Sequence, residues 1–319
     1  MADQPAASVG TLLRGLGARI GRLDARLLIE EVCGLRHADL VARPETPVAA
    51  TQVERLETLA TRRERGEPLP YLLGFAEFRG LRLAVSPAVL VPRPETEVLV
   101  EWALEVGDAS LPSGAGPGLP RKDFLRSSHG DFLRSQKISA NATFPFHVLD
   151  LGTGSGAIPL ALKHARPLWQ ISAAELSPAA LGVARGNAER LGLAVDFFES
   201  DWYGNLPAGW RVDCIVSNPP YVAAGDPHLR GDGLRYEPKM ALTDFADGLS
   251  ALRRIVAGAP AFLEADAYLL MEHGYDQAAA VREMLEKDFY AIETRLDLAG
   301  IERVSGGRLK ASASCPYPL

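Results

Sequence analysis

Apolar and polar positions alternate with a helical period from residue 8 to about residue 66. Leu27, Leu28 and Val32 make one apolar stripe, with Asp24 as candidate N-cap and Gly34 just past the end. Val53, Leu56 and Leu59 make a second, on a helix expected over about 49–65. That helix ends in Arg62-Arg63-Glu64-Arg65, a charge run that reads as a solvated face. The period then shortens. Alternating segments either side of Arg79-Gly80, within residues 75–85, predict a β-hairpin. Pro92 and Pro94 flank Arg93 in a stiff extended piece, and a helix is expected from Thr96 to about Val106.

Residues 109–145 break the pattern. They begin rich in Gly, Pro and Ser and carry Asp-Phe-Leu-Arg-Ser twice, starting at Asp123 and Asp131. A five-residue duplication is too short for a solenoid unit, so the stretch reads as a flexible surface insertion. From Phe146 onward short apolar runs at 147–151, 170–175, 195–198, 212–217 and 268–272 alternate with helical segments. That order predicts an α/β fold with a parallel sheet and helices on both faces. Two last runs, 289–294 and 301–304, flank Gly300 and predict an antiparallel hairpin at the sheet's end.

Length and composition narrow the function classes. The chain has 319 residues, 47% hydrophobic and 23% charged, a globular mixture that favours two domains. Its formal net charge of -6 argues against a nucleic-acid backbone as main partner. Cys33, Cys214 and Cys315 are scattered, without metal-ligand or disulfide spacing. The first ten residues lack a charged-then-apolar signal pattern, and no apolar run reaches the roughly 20 residues a bilayer requires. A cytoplasmic protein with no membrane partner is expected. His164, His228 and His273 stand alone, so no metal is expected.

Val148-Leu149-Asp150-Leu151 runs straight into Gly152-Thr153-Gly154-Ser155-Gly156. Small residues at the carboxyl end of a buried strand let the backbone approach a ligand closely. No Gly-Lys-Ser/Thr follows, which disfavours a phosphate loop. Glu175 closes the next strand about 20 residues on, where an acid can accept both ribose hydroxyl protons. Together they suggest a ribose-containing cofactor, NAD and S-adenosylmethionine both remaining open.

Asn218-Pro219-Pro220-Tyr221 follows the strand Ile215-Val216-Ser217 and points to the chemistry. Paired prolines stiffen the backbone and remove two donors. The Asn218 side-chain oxygen and the Pro219 carbonyl could each accept one hydrogen of a target NH2 group. Tyr221 could wall a planar target. An amide nitrogen is a poor nucleophile, because its lone pair is delocalised, so its orientation has to come from the site. Between these motifs, Asp201 could accept from an adenine amino group and Trp202 could pack on its ring, or the pair could be a capping acid beside a packing Trp.

At these motifs the chain resembles the class I S-adenosylmethionine-dependent methyltransferases, and more narrowly the peptide chain release factor N5-glutamine methyltransferases. The resemblance also rests on Arg62-Arg63-x-x-Gly66-Glu67-Pro68-Leu69-x-Tyr71, Glu77-Phe78-x-Gly80-Leu81 and Val91-Pro92-Arg93-Pro94-Glu95-Thr96-Glu97. It continues through Glu237-Pro238, Asp247-Gly248-Leu249 and Glu272-His273-Gly274-Tyr275-Asp276-Gln277. It implies a Rossmann-like, mostly parallel methyltransferase sheet over 91–319. A small all-α substrate-recognition domain over 1–70 and a β-hairpin linker over 71–90 would precede it. By the same resemblance Gly152, Thr153, Gly154, Ser155, Gly156, Glu175, Asp201, Trp202 and Asn218 would bind S-adenosylmethionine, which leaves as S-adenosylhomocysteine. Asn218, Pro219, Pro220 and Tyr221 would hold the glutamine of a release factor's Gly-Gly-Gln segment, with Asn218, Pro219 and Tyr221 as the catalytic set. Glu175 departs from the family, which usually has Asp there. Two other readings compete: an amino-methyltransferase acting on DNA or RNA bases, which predicts a basic face and a target-recognition domain, and a non-catalytic binding module, which predicts loss of the glycines or of Asn218.

Overall fold

The computed structural model describes residues 7–110, 146–231 and 233–311, which fall into two compact units. Cys315 and positions 111–145 of the expected insertion lie outside the described residues. Among the described residues no helix is long and apolar enough to cross a membrane.

One unit holds the described residues up to Val91 together with Gly225–Leu242. Helices Val9–Ile20, Arg22–Cys33, His37–Ala42, Ala50–Glu64 and Leu69–Leu73 bury Leu16, Leu28, Ile29 and Leu56 in one cluster. One local expectation is corrected. Gly21, not Asp24, is the N-cap of Arg22–Cys33, while Gly34 closes it in the left-handed conformation as expected. Asp24 lies in the first turn, and its carboxylate accepts from Arg63 Nε at 2.6 Å. The charge run is a solvated face, with Arg62, Glu64 and Arg65 exposed as expected, but its charges are paired: Arg62 with Glu67 at 2.5 Å and Glu64 with Arg19 at 2.8 Å. Folding the helices together supplies counter-charges that a linear pattern does not reveal. Strands β1 (Phe75–Phe78) and β2 (Leu81–Ala84) form the expected hairpin. Its tip residues Arg79 and Gly80 have φ of 47° and 76°, as a two-residue turn matching the strand twist requires. Within residues 225–242, buried Glu237 accepts from the Val91 N–H at 3.1 Å and the Tyr236 hydroxyl donates to the Arg65 carbonyl at 2.9 Å.

The second unit is built on a seven-stranded sheet: β3 (His147–Leu151), β4 (Gln170–Glu175), β5 (Asp196–Glu199), β6 (Val212–Ser217), β7 (Leu263–Glu272), β8 (Phe289–Leu296) and β9 (Glu302–Leu309). Their order is β5-β4-β3-β6-β7-β9-β8, with β9 antiparallel to both neighbours and the β3–β7 pairings parallel. The Rossmann-like sheet with a C-terminal antiparallel hairpin is thus present. Leu149 and Leu151 of β3 join Ile215, Leu269 and Met271 under helices Ser250–Gly258 and Ala278–Glu286. By the strand pleat, Val148 and Asp150 face the opposite side. Helix Glu97–Ser110 runs past its expected end and includes Ala109, where the break was expected to start; Leu99, Val100, Trp102 and Val106 are its buried face.

The strand order places the site. From β3 the chain winds outward through β4 to β5, then returns to lay β6 on the other side of β3. The loops leaving β3 and β6 therefore diverge at the carboxyl edge, the switch point where open α/β sheets bind ligands. The Ser217 hydroxyl donates to the Leu151 carbonyl at 2.7 Å and ties those two strand ends together.

Candidate active site

The glycine loop is held from below and from the side. The N–H groups of Gly152 and Thr153 both donate to the Ala174 carbonyl, at 2.9 and 3.1 Å, which anchors the loop to β4. Gly152, Gly154 and Gly156 all have positive φ, 76°, 56° and 84°. A Cβ on Gly152 would stand 3.5 Å from the Trp202 ring, and one on Gly156 would press on Leu160 and Ala184 at 3.1 and 3.3 Å. A Cβ on Gly154 would meet nothing within 4 Å, so that part of the backbone is open to an approaching group. Asn187, fully buried, donates to the Ser155 carbonyl at 2.7 Å and fixes the loop's far end.

Glu175 leaves β4 and turns back to this loop. One carboxylate oxygen accepts from the Gly154 N–H and the other from the Ser177 N–H, both at 2.9 Å. The acid expected to receive ribose hydroxyls is therefore also a brace for the glycine turn. Each oxygen keeps a second lone pair for a hydroxyl. The same side chain thus reaches the loop and holds Ser177, the residue whose hydroxyl caps helix Pro178–Leu191.

Asp150 is a residue that motif reading passed over. It is completely buried, and neither of its oxygens makes a hydrogen bond of full geometry. Burial pushes its carboxyl up to about 7; the Thr153 hydroxyl opposes the rise and the Glu175 carboxylate adds to it. Buried acceptors without hydrogen bonds of full geometry beneath the glycine loop are costly unless a donor arrives. A signal was present in the sequence, because an acid in a run of Val and Leu on a buried strand has no structural reason to be there.

The turn after β5 is strained and pinned. Trp202 has φ of 52°, unusual for a bulky residue. Buried Ser200 holds the turn by donating to the Trp202 carbonyl at 2.9 Å and accepting from the Asn205 N–H at 3.0 Å. Trp202 consequently lies against Gly152, where a cofactor ring wall was expected. Asp201 points elsewhere: it is exposed and accepts from Arg254 at 2.8 Å.

On the other side of the switch point, the Asn218 amide nitrogen donates to the Thr96 hydroxyl at 3.0 Å. Pro219 is buried, Pro220 half-buried. The Tyr221 hydroxyl donates to Glu272 Oε1 at 3.1 Å. Burial, with the nearby Glu272 carboxylate, raises the Tyr221 phenol well above its ordinary range, so it stays protonated and a donor. Glu272, at the end of β7, is itself buried, and its carboxyl is pushed up to about 7 despite the Thr96 and Tyr221 hydroxyls and Arg303. Gln277 fixes the loop's exit by donating to the carbonyls of Tyr221 (2.9 Å) and Gly248 (3.2 Å). Thr96 and Glu272 were legible only as family motif letters; nothing local links residues 96, 218 and 272. His273 is a packing residue, buried and within hydrogen-bond distance of Ser305 at 2.8 Å.

The arrangement can do two things. It presents an open glycine loop above an unsatisfied acid. Beside it, it presents a rigid turn whose asparagine has its nitrogen occupied and its oxygen left as an acceptor.

Known proteins resemble this chain in sequence and fold. The PrmC N-terminal domain family matches residues 9–74, and the methyltransferase small domain family matches residues 135–230. The release factor glutamine methyltransferase of Burkholderia pseudomallei is 44% identical over 310 residues, covering 95% of this chain and 96% of that one. That of Bordetella pertussis is 45% identical over 302 residues, covering 94% and 100%. Among solved structures, the hMettl16 catalytic domain in complex with MAT2A 3′UTR hairpin 1 aligns with a TM-score of 0.53 at 12% identity, over 97% of this chain and 94% of that one, a likeness of fold. The near full-length identity to two curated relatives settles the kinship: the chain belongs to the release factor glutamine methyltransferase family.

Proposed function

We infer that this protein transfers a methyl group from S-adenosylmethionine to the side-chain amide nitrogen of the glutamine in the Gly-Gly-Gln segment of a peptide chain release factor. The observation that carries the reading is the polarity of Asn218. Its nitrogen is committed to Thr96, so its oxygen is the atom left to accept, on a turn that neighbours the glycine loop across β3 and β6. A carboxamide offers two N–H groups, and an oxygen acceptor paired with the Pro219 carbonyl is the matching clamp.

The residues fit the cofactor. Asp150 supplies acceptors without a partner, suited to an ammonium group. Gly154 leaves room for close approach, Trp202 offers a ring face, and Glu175 has spare lone pairs for ribose hydroxyls. When bound, S-adenosylmethionine supplies a methyl on a positively charged sulfur, which is a good leaving group. The protein's own contribution is orientation. Asn218 and Pro219 fix the target nitrogen so that its lone pair faces the methyl carbon, and Tyr221 limits the planar amide to one tilt. The bound donor would supply the methyl to the nitrogen so held, and the proton that nitrogen gives up would pass to solvent. We assign recognition of the release factor to the helical region 1–70, the linker role to 71–90 and the transfer to 91–319.

The test is incubation of the full chain with S-adenosylmethionine and a release factor, followed by peptide mapping. A single added methyl on the Gly-Gly-Gln glutamine is expected. Methylation of DNA or RNA in a parallel reaction, with the release factor left unmodified, would overturn the reading.

A further inference from the structure

The carboxamide clamp works only if Asn218 keeps one orientation. An asparagine side chain is nearly symmetric in shape, and a half-turn exchanges its oxygen for an NH2 group. In that flipped state two N–H groups would face the two N–H groups of the substrate. Something must set the sense of the amide, and Thr96 by itself cannot, because a hydroxyl both donates and accepts.

Glu272 removes that ambiguity. Thr96 is 4% exposed and Glu272 1% exposed, so no solvent competes for their bonds. An ionised carboxylate only accepts, and Tyr221 already donates to Oε1 at 3.1 Å. Oε2 makes no hydrogen bond of full geometry; burial raises this carboxyl to about 7 while the Thr96 and Tyr221 hydroxyls pull it down, so above that pH it is ionised and accepts the Thr96 proton. With the Thr96 proton directed to Glu272, the oxygen of Thr96 turns its lone pairs to Asn218. The atom of Asn218 that meets it at 3.0 Å must then be the nitrogen. Three segments far apart in the chain meet here: the turn Pro94–Thr96, the loop after β6 and the end of β7.

We propose that Thr96 and Glu272 are positioning residues for methyl transfer, a relay in which Glu272 makes the Thr96 hydroxyl an acceptor and Thr96 thereby holds Asn218 with its oxygen toward the substrate. The proposal rests on Asn218 being the carboxamide clamp. Glu272 serves the other arm too, since it also fixes the Tyr221 hydroxyl.

The experiment uses the full chain, S-adenosylmethionine and a release factor. Thr96→Val keeps the volume and removes the acceptor, and kcat falls about tenfold, the size of one orienting hydrogen bond, while the affinity for S-adenosylmethionine stays within about twofold. Thr96→Ser restores the hydroxyl and brings kcat back to within about threefold of the parent. Glu272→Gln can donate to Thr96 and reverse the relay while also disturbing Tyr221, so its loss is at least that of Thr96→Val, and the double variant is no worse than Glu272→Gln alone. Full activity in Thr96→Val, equal impairment in Thr96→Ser, or additive losses in the double variant would each overturn the relay. A second readout needs no methyl acceptor. The Asn218 side-chain NH2 signals, identified by their absence in Asn218→Ala, are protected from hydrogen exchange in the parent and in Thr96→Ser and unprotected in Thr96→Val. Unchanged protection in Thr96→Val would also overturn the relay. If the parent enzyme leaves the release factor unmethylated, the functional reading fails on its own, and these signals still decide the relay.

Discussion

Replacing Asp150 by Asn should make the cofactor-free protein more stable, and by an amount that grows with pH. The carboxyl sits near 3.8 in the unfolded chain and at about 7 in the fold, where burial is the main cause of the rise. The folded state thus keeps a proton that the unfolded state gives up. For a group raised by folding, its stabilising share is complete below the unfolded value and is lost as pH rises through the folded one. Between those limits the loss runs at about 1.4 kcal/mol per pH unit. From pH 5 to pH 8 it sums to roughly 2–3 kcal/mol, because the slope flattens only near pH 7. Asparagine has nearly the same shape and no charge to desolvate, so it escapes this loss. Thermal unfolding of both proteins without ligand, at each pH from 5 to 8, should therefore show the variant's advantage widening by about 5–10 °C. Subtracting parent from variant cancels the share of Glu272, whose carboxyl is raised in the same way. An advantage that stays constant with pH would refute the claim that burial raises the Asp150 carboxyl. The cost should appear in binding: the variant should hold S-adenosylmethionine less tightly by calorimetry, since a neutral amide is a poorer partner for an ammonium group.

Asn218→Ala should lose nearly all methyl transfer while equilibrium dialysis shows cofactor binding largely kept; turnover like the parent's would dismiss its role. Gly248→Ala should lower kcat by about tenfold to a hundredfold in a methyl-transfer assay, because φ there is +81° and a Cβ would stand 2.5 Å from the Tyr221 carbonyl, shifting the clamp. Tyr221→Phe removes one of the two hydroxyls that lower the Glu272 carboxyl, so a carbon-detected NMR titration should place that carboxyl above about 7. Gly107→Ala should cost about 1–3 kcal/mol in urea unfolding without altering the site, because a Cβ there would overlap the Trp169 ring.

Several elements were readable locally because their causes are local. The β3 run and its glycine loop, the Arg79-Gly80 hairpin tip and the left-handed Gly34 cap each follow from a few adjacent residues. The Asn218-Pro219-Pro220-Tyr221 turn is of the same kind, since proline stiffness and carbonyl supply are properties of the tetrapeptide. Asp24 went the other way. As a short acid before an apolar stripe it reads as a cap, but Arg63, far along the chain and brought close by helix packing, takes its carboxylate instead.

The sequence by itself determined the alternation of strands and helices, the glycine loop and the proline turn, because backbone conformation and hydrophobic period are written over a few neighbouring residues. Only the tertiary structure decided which groups face each other across the sheet's edge. It turned Glu175 back onto Gly154, buried Asp150 completely, joined residues 225–242 to the unit of Val91, and brought Thr96 and Glu272 to Asn218 and Tyr221. Hydrogen-bond partners and desolvation depend on what packs together from distant parts of the chain, and a linear pattern carries no term for that.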